Sequence, residues 1–309
     1  MAGIARLPHG PWAGDPARID RLELRVEEVP VPDAWHVMAP NTSTRCGVVA
    51  SWWAGPRVHG SSARPPVPMG SPEAVLKEPL GRWAGAFRMG PGDQGTVPRY
   101  VYLHGFASGP GSTKARVFRE RMAAAGCEIS VPTLDEGDFT GLTITRQLAV
   151  ARREVEWASG PVRLIGSSMG GYLAALVAAR DPRVEALVLM APAFDIQAGW
   201  RARYGEAKLA EWRRLGALST FHYAHGTERP IGYGLYEDMG RHDPRPRISV
   251  PALVFIGRRD DVVDPAAVEA WARANPTARL VWLDSGHELT DQIETIWSLS
   301  AAFFGLSPR

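Results

Sequence analysis

The chain has 309 residues, of which 45% are hydrophobic and 22% are charged. This balance is ordinary for a globular protein and excludes global disorder and a fibrous repeat. The formal net charge of +2 provides no strong field for nucleic acid, so we expect no nucleic-acid partner. We find neither an apolar run of the roughly 18 residues that a membrane span needs nor a secretory signal. Two cysteines, Cys46 and Cys127, are too few for a disulfide framework or a zinc site. We therefore expect a cytoplasmic protein without a membrane partner, a metal or a cofactor.

Residues 1–98 differ in composition from the rest of the chain. They contain more than half of the 26 prolines, and Ile, Leu, Val and Phe fall below the roughly 20% that is usual for a packed core. This predicts a Pro/Gly-rich extension that is largely irregular. Within residues 21–31, apolar and charged residues alternate, which predicts one short edge strand. Docking of this region on the main domain and a later start near Met89 both stay open.

From residue 99 onward, short apolar runs alternate with amphipathic stretches, as in a parallel sheet covered by helices. The predicted strands are Tyr100–Leu103, Ile129–Pro132, Val162–Ile165, Ala186–Met190, Ala252–Ile256 and Arg279–Leu283. Right-handed crossovers then make an α/β domain over 99–309 with a mostly parallel, doubly wound sheet and helices on both faces. The polar interval 196–249 is predicted to be a small cap insertion. Its segment Tyr204–Leu215 has helical periodicity. Four arginines, Arg201, Arg203, Arg213 and Arg214, are expected to form a solvated face rather than an anion site.

The sequence Gly166-Ser167-Ser168-Met169-Gly170 lies directly between a predicted strand and a predicted helix. This is G-x-S-x-G in its strand–turn–helix context, and the two glycines allow a sharp turn that presents Ser168 as a nucleophile. The alternative is a tight turn with a purely structural role. Ser167 has the wrong spacing for the nucleophile.

An acid and a histidine follow two later strands. Asp260, Asp261 and Asp264 come after the strand Ala252–Ile256, and His287 follows the last strand. Asp260 is the preferred partner for a histidine and Asp261 is its rival, whereas Asp264 is expected to cap the helix that begins at Pro265. The chain order Ser168, Asp260, His287 is the order that α/β-hydrolases use.

The sequence His104-Gly105-Phe106 ends the first predicted strand of this domain. The backbone N–H groups of Phe106 and Met169 are expected to form an oxyanion hole, where each donor contributes about 2.7–4 kcal/mol to lowering the barrier. We expect His104 to act as a hydrogen-bonding strut.

These motifs resemble the α/β-hydrolase superfamily and, within it, the bacterial YqiA/YcfP-like esterase group. The resemblance covers roughly residues 99–305 and includes Leu103-His104-Gly105-Phe106, the Ser108, Ser112 and Lys114 that follow, and the elbow. It implies that Ser168, Asp260 and His287 are nucleophile, acid and base. One departure is Asp264, where the group often has proline.

These residues predict a serine hydrolase that cleaves small-molecule carboxylic esters or thioesters through an acyl-enzyme. An amidase or peptidase using the same residues is the alternative within enzymes. A non-catalytic binding protein that kept the fold is the alternative outside them. A nucleotide-binding protein is excluded because no glycine-rich phosphate motif follows a strand. The oligomeric state is left open.

Overall fold

The computed structural model describes residues 22–27, 47–52 and 97–306. Eight strands in this part form one sheet, and two more form a separate hairpin. The sheet strands are β1 (Leu22–Glu27), β2 (Gly47–Trp52), β3 (Arg99–Leu103), β4 (Ile129–Ser130), β5 (Val162–Ser167), β6 (Val184–Met190), β9 (Ala252–Gly257) and β10 (Ala278–Leu283). The hairpin strands are β7 (Ala217–His222) and β8 (Thr227–Gly232).

The order of the strands in the sheet is β2-β1-β10-β9-β6-β5-β3-β4. Every neighbouring pair is parallel except β1 with β2. All six strands predicted from residue 99 onward are present, so the doubly wound α/β architecture is confirmed. The edge strand expected within 21–31 appears as β1, but it is not at the edge, because β2 pairs with its outer side.

The described part contains seven α-helices and one short 3-10 helix, Thr290–Gln292. The α-helices are α1 (Thr113–Ala124), α2 (Ile144–Glu156), α3 (Met169–Ala178), α4 (Ile196–Leu215), α5 (Gly234–Met239), α6 (Pro265–Ala274) and α7 (Ile293–Phe304). Every residue of β5, α3 and β9 is buried. This burial explains why β9 is a continuous apolar run, since a central parallel strand has no solvated face. None of the described helices is both long and apolar enough to cross a membrane.

The cap insertion consists of α4, the β7–β8 hairpin and α5, which lie between β6 and β9 in the chain. Gly205 interrupts α4 with φ 71° and ψ 160°, a backbone conformation that favours glycine. The helix predicted over 204–215 therefore corresponds to the second part of α4. The four arginines of α4, Arg201, Arg203, Arg213 and Arg214, are all exposed, as expected of a solvated face.

Candidate active site

Ser168 lies in a strained turn between β5 and α3. Its backbone has φ 53° and ψ −119°, which is uncommon for a residue with a side chain. The turn is tight because a Cβ on Gly166 would lie 2.4 Å from the carbonyl oxygen of Gly170. A Cβ on Gly170 would lie 2.0 Å from the carbonyl oxygen of Leu103. Both glycines are therefore required by close backbone approaches, and together they lift Ser168 above the end of the sheet.

Ser168, His287 and Asp260 form a continuous hydrogen-bonded chain. The Oγ of Ser168 is 3.0 Å from the Nε2 of His287. The Nδ1 of His287 lies 2.9 Å from Oδ2 and 3.1 Å from Oδ1 of Asp260. These contacts join residues 119 and 27 positions apart in the sequence. The carboxyl ends of β5, β9 and β10 bring them together, because parallel strands end at the same edge of the sheet.

The Asp260 carboxylate is held between the imidazole of His287 and two backbone N–H groups. Its side chain is fully buried, and its Oδ1 accepts backbone N–H bonds from Val262 at 3.0 Å and Val263 at 2.8 Å. Hydrogen bonds of this kind fix a carboxylate in one rotamer and supply the partners that a buried charge needs. The carboxylate therefore presents a defined acceptor to the imidazole.

The two other acids of this loop lie elsewhere. Asp261 is exposed and makes no hydrogen bond to His287, so of the two candidates the structure places Asp260 beside the imidazole. Asp264 is the N-cap of α6, and its side chain accepts a hydrogen bond from the N–H of Ala266 at 2.9 Å. The expectation that Asp264 caps this helix is confirmed.

The loop after β3 runs beside Ser168. A Cβ on Gly105 would lie 3.4 Å from the Cβ of Ser168, so the residue before Phe106 lies against the serine. Met169 is the first residue of α3, and its N–H has no intrahelical partner because the first N–H groups of a helix point outward. The two backbone segments chosen as oxyanion donors are thus brought to the same side chain.

His104 is buried beneath this loop. Its Nδ1 donates to the carbonyl oxygen of Gly105 at 3.0 Å, and its Nε2 accepts from the N–H of Leu134 at 3.4 Å. This pairing requires the neutral ring, and burial lowers the pKa of His104, which favours the same state. His104 therefore joins the loop after β3 to the loop that contains Leu134, as expected of a hydrogen-bonding strut.

Aromatic side chains of the cap and of the loop before α2 surround Phe106. Its ring centroid is 5.2 Å from that of Trp200 and 5.6 Å from that of Phe139. No sequence pattern marks Phe139 or Trp200, because an isolated aromatic residue carries no signal of what it will contact. A cavity of about 330 Å³ lies farther out in the cap, lined by residues that include Tyr204 and Trp212.

No group of three or more His, Cys, Asp or Glu side chains in residues 22–27, 47–52 and 97–306 is arranged to hold a metal ion. The arrangement at Ser168 instead has the parts of a nucleophilic site: a hydroxyl, a base, an orienting carboxylate and backbone donors.

Comparisons with known proteins agree with this fold. The model of the uncharacterised protein family UPF0227 matches residues 99–304.

A solved protein from Agrobacterium vitis S4 is 23% identical with a TM-score of 0.58, over 67% of this chain and 88% of its own. The alpha/beta hydrolase domain-containing protein 10 from mouse is 20% identical with a TM-score of 0.58, over 69% of this chain and 92% of its own. A structure reported for the metagenome-derived lipolytic enzymes LipS and LipT is 23% identical with a TM-score of 0.52, over 67% of this chain and 92% of its own. No curated protein sequence matches the chain. The likeness in structure establishes the α/β-hydrolase fold.

Proposed function

The chain belongs to the UPF0227 family, and we propose that it is a serine hydrolase that cleaves small carboxylic esters or thioesters. The observation that carries the proposal is the chain of hydrogen bonds from Ser168 through His287 to Asp260. We assign residues 99–309 as the catalytic domain. The proposal requires no metal or organic cofactor.

In the first half of the proposed reaction, the Oγ of Ser168 attacks the acyl carbonyl carbon while the Nε2 of His287 takes the hydroxyl proton. Asp260 fixes the imidazole tautomer and stabilises the imidazolium that forms. The carbonyl oxygen becomes an oxyanion and accepts hydrogen bonds from the N–H groups of Met169 and Phe106. When the bond to the leaving group breaks, His287 returns its proton to the departing oxygen or sulfur, and an acyl-enzyme remains.

In the second half, water replaces the leaving group. His287 takes a proton from the water as its oxygen attacks the acyl carbon, and the second tetrahedral intermediate uses the same two N–H donors. Collapse of this intermediate releases the carboxylic acid and returns the proton to the Oγ of Ser168. The enzyme ends in its starting state, so no other reactant is needed.

The aromatic side chains around Phe106 are suited to bind the apolar part of the substrate. Phe139 and Trp200 contact the ring of Phe106. We propose that the acyl or alcohol group of a bound substrate extends from the oxyanion hole toward these rings. Ligand sites are commonly apolar and carry a few polar groups that fix orientation. Selectivity for chain length and leaving group is therefore proposed to depend on the cap.

The test is hydrolysis of p-nitrophenyl esters from C2 to C16 by the wild-type protein, Ser168→Ala and Ser167→Ala. Ser167 is the matched control, because it is a neighbouring buried serine outside the hydrogen-bonded chain. We expect turnover and fluorophosphonate labelling in the wild type and Ser167→Ala, and neither in Ser168→Ala. Labelling without ester turnover would direct the search to amides. The absence of both would favour a binding protein.

A further inference from the structure

Lys114 is a buried cation in an unfavourable place. It is the second residue of α1, and only 10% of its side chain is exposed. The positive end of the helix dipole and the loss of hydration both oppose a charge at this position. Burial lowers the pKa of Lys114, and the neighbouring Glu288 and Asp260 act against this effect. Such a residue needs a compensating interaction.

That interaction is with the loop that carries His287. The Nζ of Lys114 donates a hydrogen bond of 2.5 Å to the backbone carbonyl oxygen of Glu288, the residue after His287. The same Nζ lies 3.7 Å from Oε2 of Glu288, whose side chain is 77% exposed. The backbone contact is therefore the shorter and better protected of the two, and it joins residues 174 positions apart.

The His287 loop has a backbone that needs such support. Leu289 adopts φ 54° although it is not glycine, and its side chain is almost completely buried. A residue in this conformation persists only where the surroundings hold it. On the other side of the loop, the hydroxyl of Ser285 bonds to the carboxylate of Asp291. From α1, a different element of the fold, Lys114 holds the residue next to His287 through its hydrogen bond to the carbonyl oxygen of Glu288.

We propose that Lys114 is a positioning residue, which holds the imidazole of His287 in line between Asp260 and Ser168 by binding the carbonyl oxygen of Glu288. This inference rests on the proposed function for its effect on catalysis. The contact itself can be tested without turnover.

The experiment compares Lys114→Met with Lys114→Arg in the full chain. Met matches the length of the lysine stem but donates no hydrogen bond, whereas Arg retains both charge and donors. Arg116→Met is the control, because Arg116 is an exposed cation on the same helix. We expect Lys114→Met to lower kcat about 10- to 100-fold with KM nearly unchanged, since a small displacement of a catalytic group costs rate rather than binding. Lys114→Arg should recover most of the rate, and Arg116→Met should match the wild type.

A second readout does not depend on activity. In proteins with ¹⁵N-labelled histidine, the Nδ1–H proton of His287 is assigned by its loss in His287→Asn. We expect a protected resonance in the wild type and Lys114→Arg, and exchange broadening in Lys114→Met. The unfolding temperature of Lys114→Met should stay within about 4 °C of wild type, since a cation that burial disfavours is removed. If Lys114→Met does not fold, Lys114→Gln takes its place.

The outcomes separate this proposal from the proposed function. An unchanged His287 resonance in a folded Lys114→Met protein overturns the positioning role, even if Ser168-dependent hydrolysis is established. Broadening in that variant supports the role, even if no ester is a substrate. Loss of rate in proportion to loss of folded protein, with a normal resonance in what remains folded, also overturns it, since that result describes a merely structural lysine.

Discussion

The backbone N–H of Tyr223 donates a hydrogen bond of 2.8 Å to the carbonyl oxygen of Ala107. This contact joins the tip of the cap hairpin to the residue that follows Phe106. Next to it, a Cβ on Gly109 would lie only 3.1 Å from the Cβ of Ala224, so the hairpin tip and the loop are in close contact. The cap therefore supports the loop that is proposed to donate to the oxyanion.

Removing this N–H should impair catalysis. We expect Tyr223→Pro to lower kcat/KM about 10-fold, because proline lacks the donor and the loop after β3 loses its support. Tyr223→Ala keeps the N–H and removes a side chain that is 74% exposed, so it should retain at least about half of the wild-type rate. Steady-state kinetics on one ester compares the two variants. Equal rates in both would show that the loop holds its shape without the hairpin.

The choice between the two neighbouring acids predicts a large difference in rate. Asp260→Asn should lower kcat about 10⁴-fold, because an amide can donate to Nδ1 and favours the wrong imidazole tautomer. Asp261→Asn alters an exposed side chain and should change kcat less than about 3-fold. Measuring both variants on the ester that the wild type hydrolyses fastest decides the assignment. A larger loss in Asp261→Asn would reverse it.

Glycine substitutions should separate close packing from conformational freedom. Gly170→Ala places a Cβ 2.0 Å from a backbone oxygen, and we expect it to lower the free energy of unfolding by at least about 3 kcal/mol. Gly199→Ala in α4 meets nothing within 4 Å and should raise that free energy by about 0.5–1 kcal/mol. Urea unfolding measures both changes. A stable Gly170→Ala protein would mean that the elbow can move away from β3.

Stability should fall as the pH drops below about 6.5. Burial lowers the pKa of both His104 and His222 from the ordinary value of 6.5. Between the folded and unfolded pKa values the unfolded chain binds more protons, so the histidine contribution is complete above 6.5 and decreases on acidification. Urea midpoints measured from pH 7.5 to 5.5 should show this decrease.

His222→Phe provides the comparison for this pH effect. His222 is buried, and among the described residues neither of its ring nitrogens has a hydrogen-bond partner. Its ring packs edge-on against Phe139, so phenylalanine can replace it without an unsatisfied nitrogen. The variant should be more stable than the wild type at pH 6 and less sensitive to acid. An unchanged slope with pH would assign the effect to other groups.

The elements near the site could be predicted because each had a local signal. The two glycines and the position of Ser168 between a predicted strand and a predicted helix identify it as the candidate nucleophile. The strand and the helix both form where the sequence predicts them. Asp264 was recognised as a helix cap from the Pro265 that follows it. In these cases, the chemistry of a few adjacent residues determines the local conformation.

Other features had no local signal. The β7–β8 hairpin was missed because neither strand has a clean apolar alternation and β8 contains Pro230. The partner of Lys114 could not be predicted, since it is a backbone carbonyl in a distant loop and every residue has such a group. The choice between Asp260 and Asp261 likewise depends on where the turn after β9 directs each side chain.

The positive φ of Ser168 has a consequence for laboratory evolution. A side chain in that conformation typically costs about 1–3 kcal/mol, whereas glycine adopts it freely. Selection of this protein for heat resistance alone should therefore recover Ser168→Gly, a variant with a more stable fold and no hydroxyl. Thermostability screens on this chain need an activity step, or they will enrich proteins that have lost the proposed nucleophile.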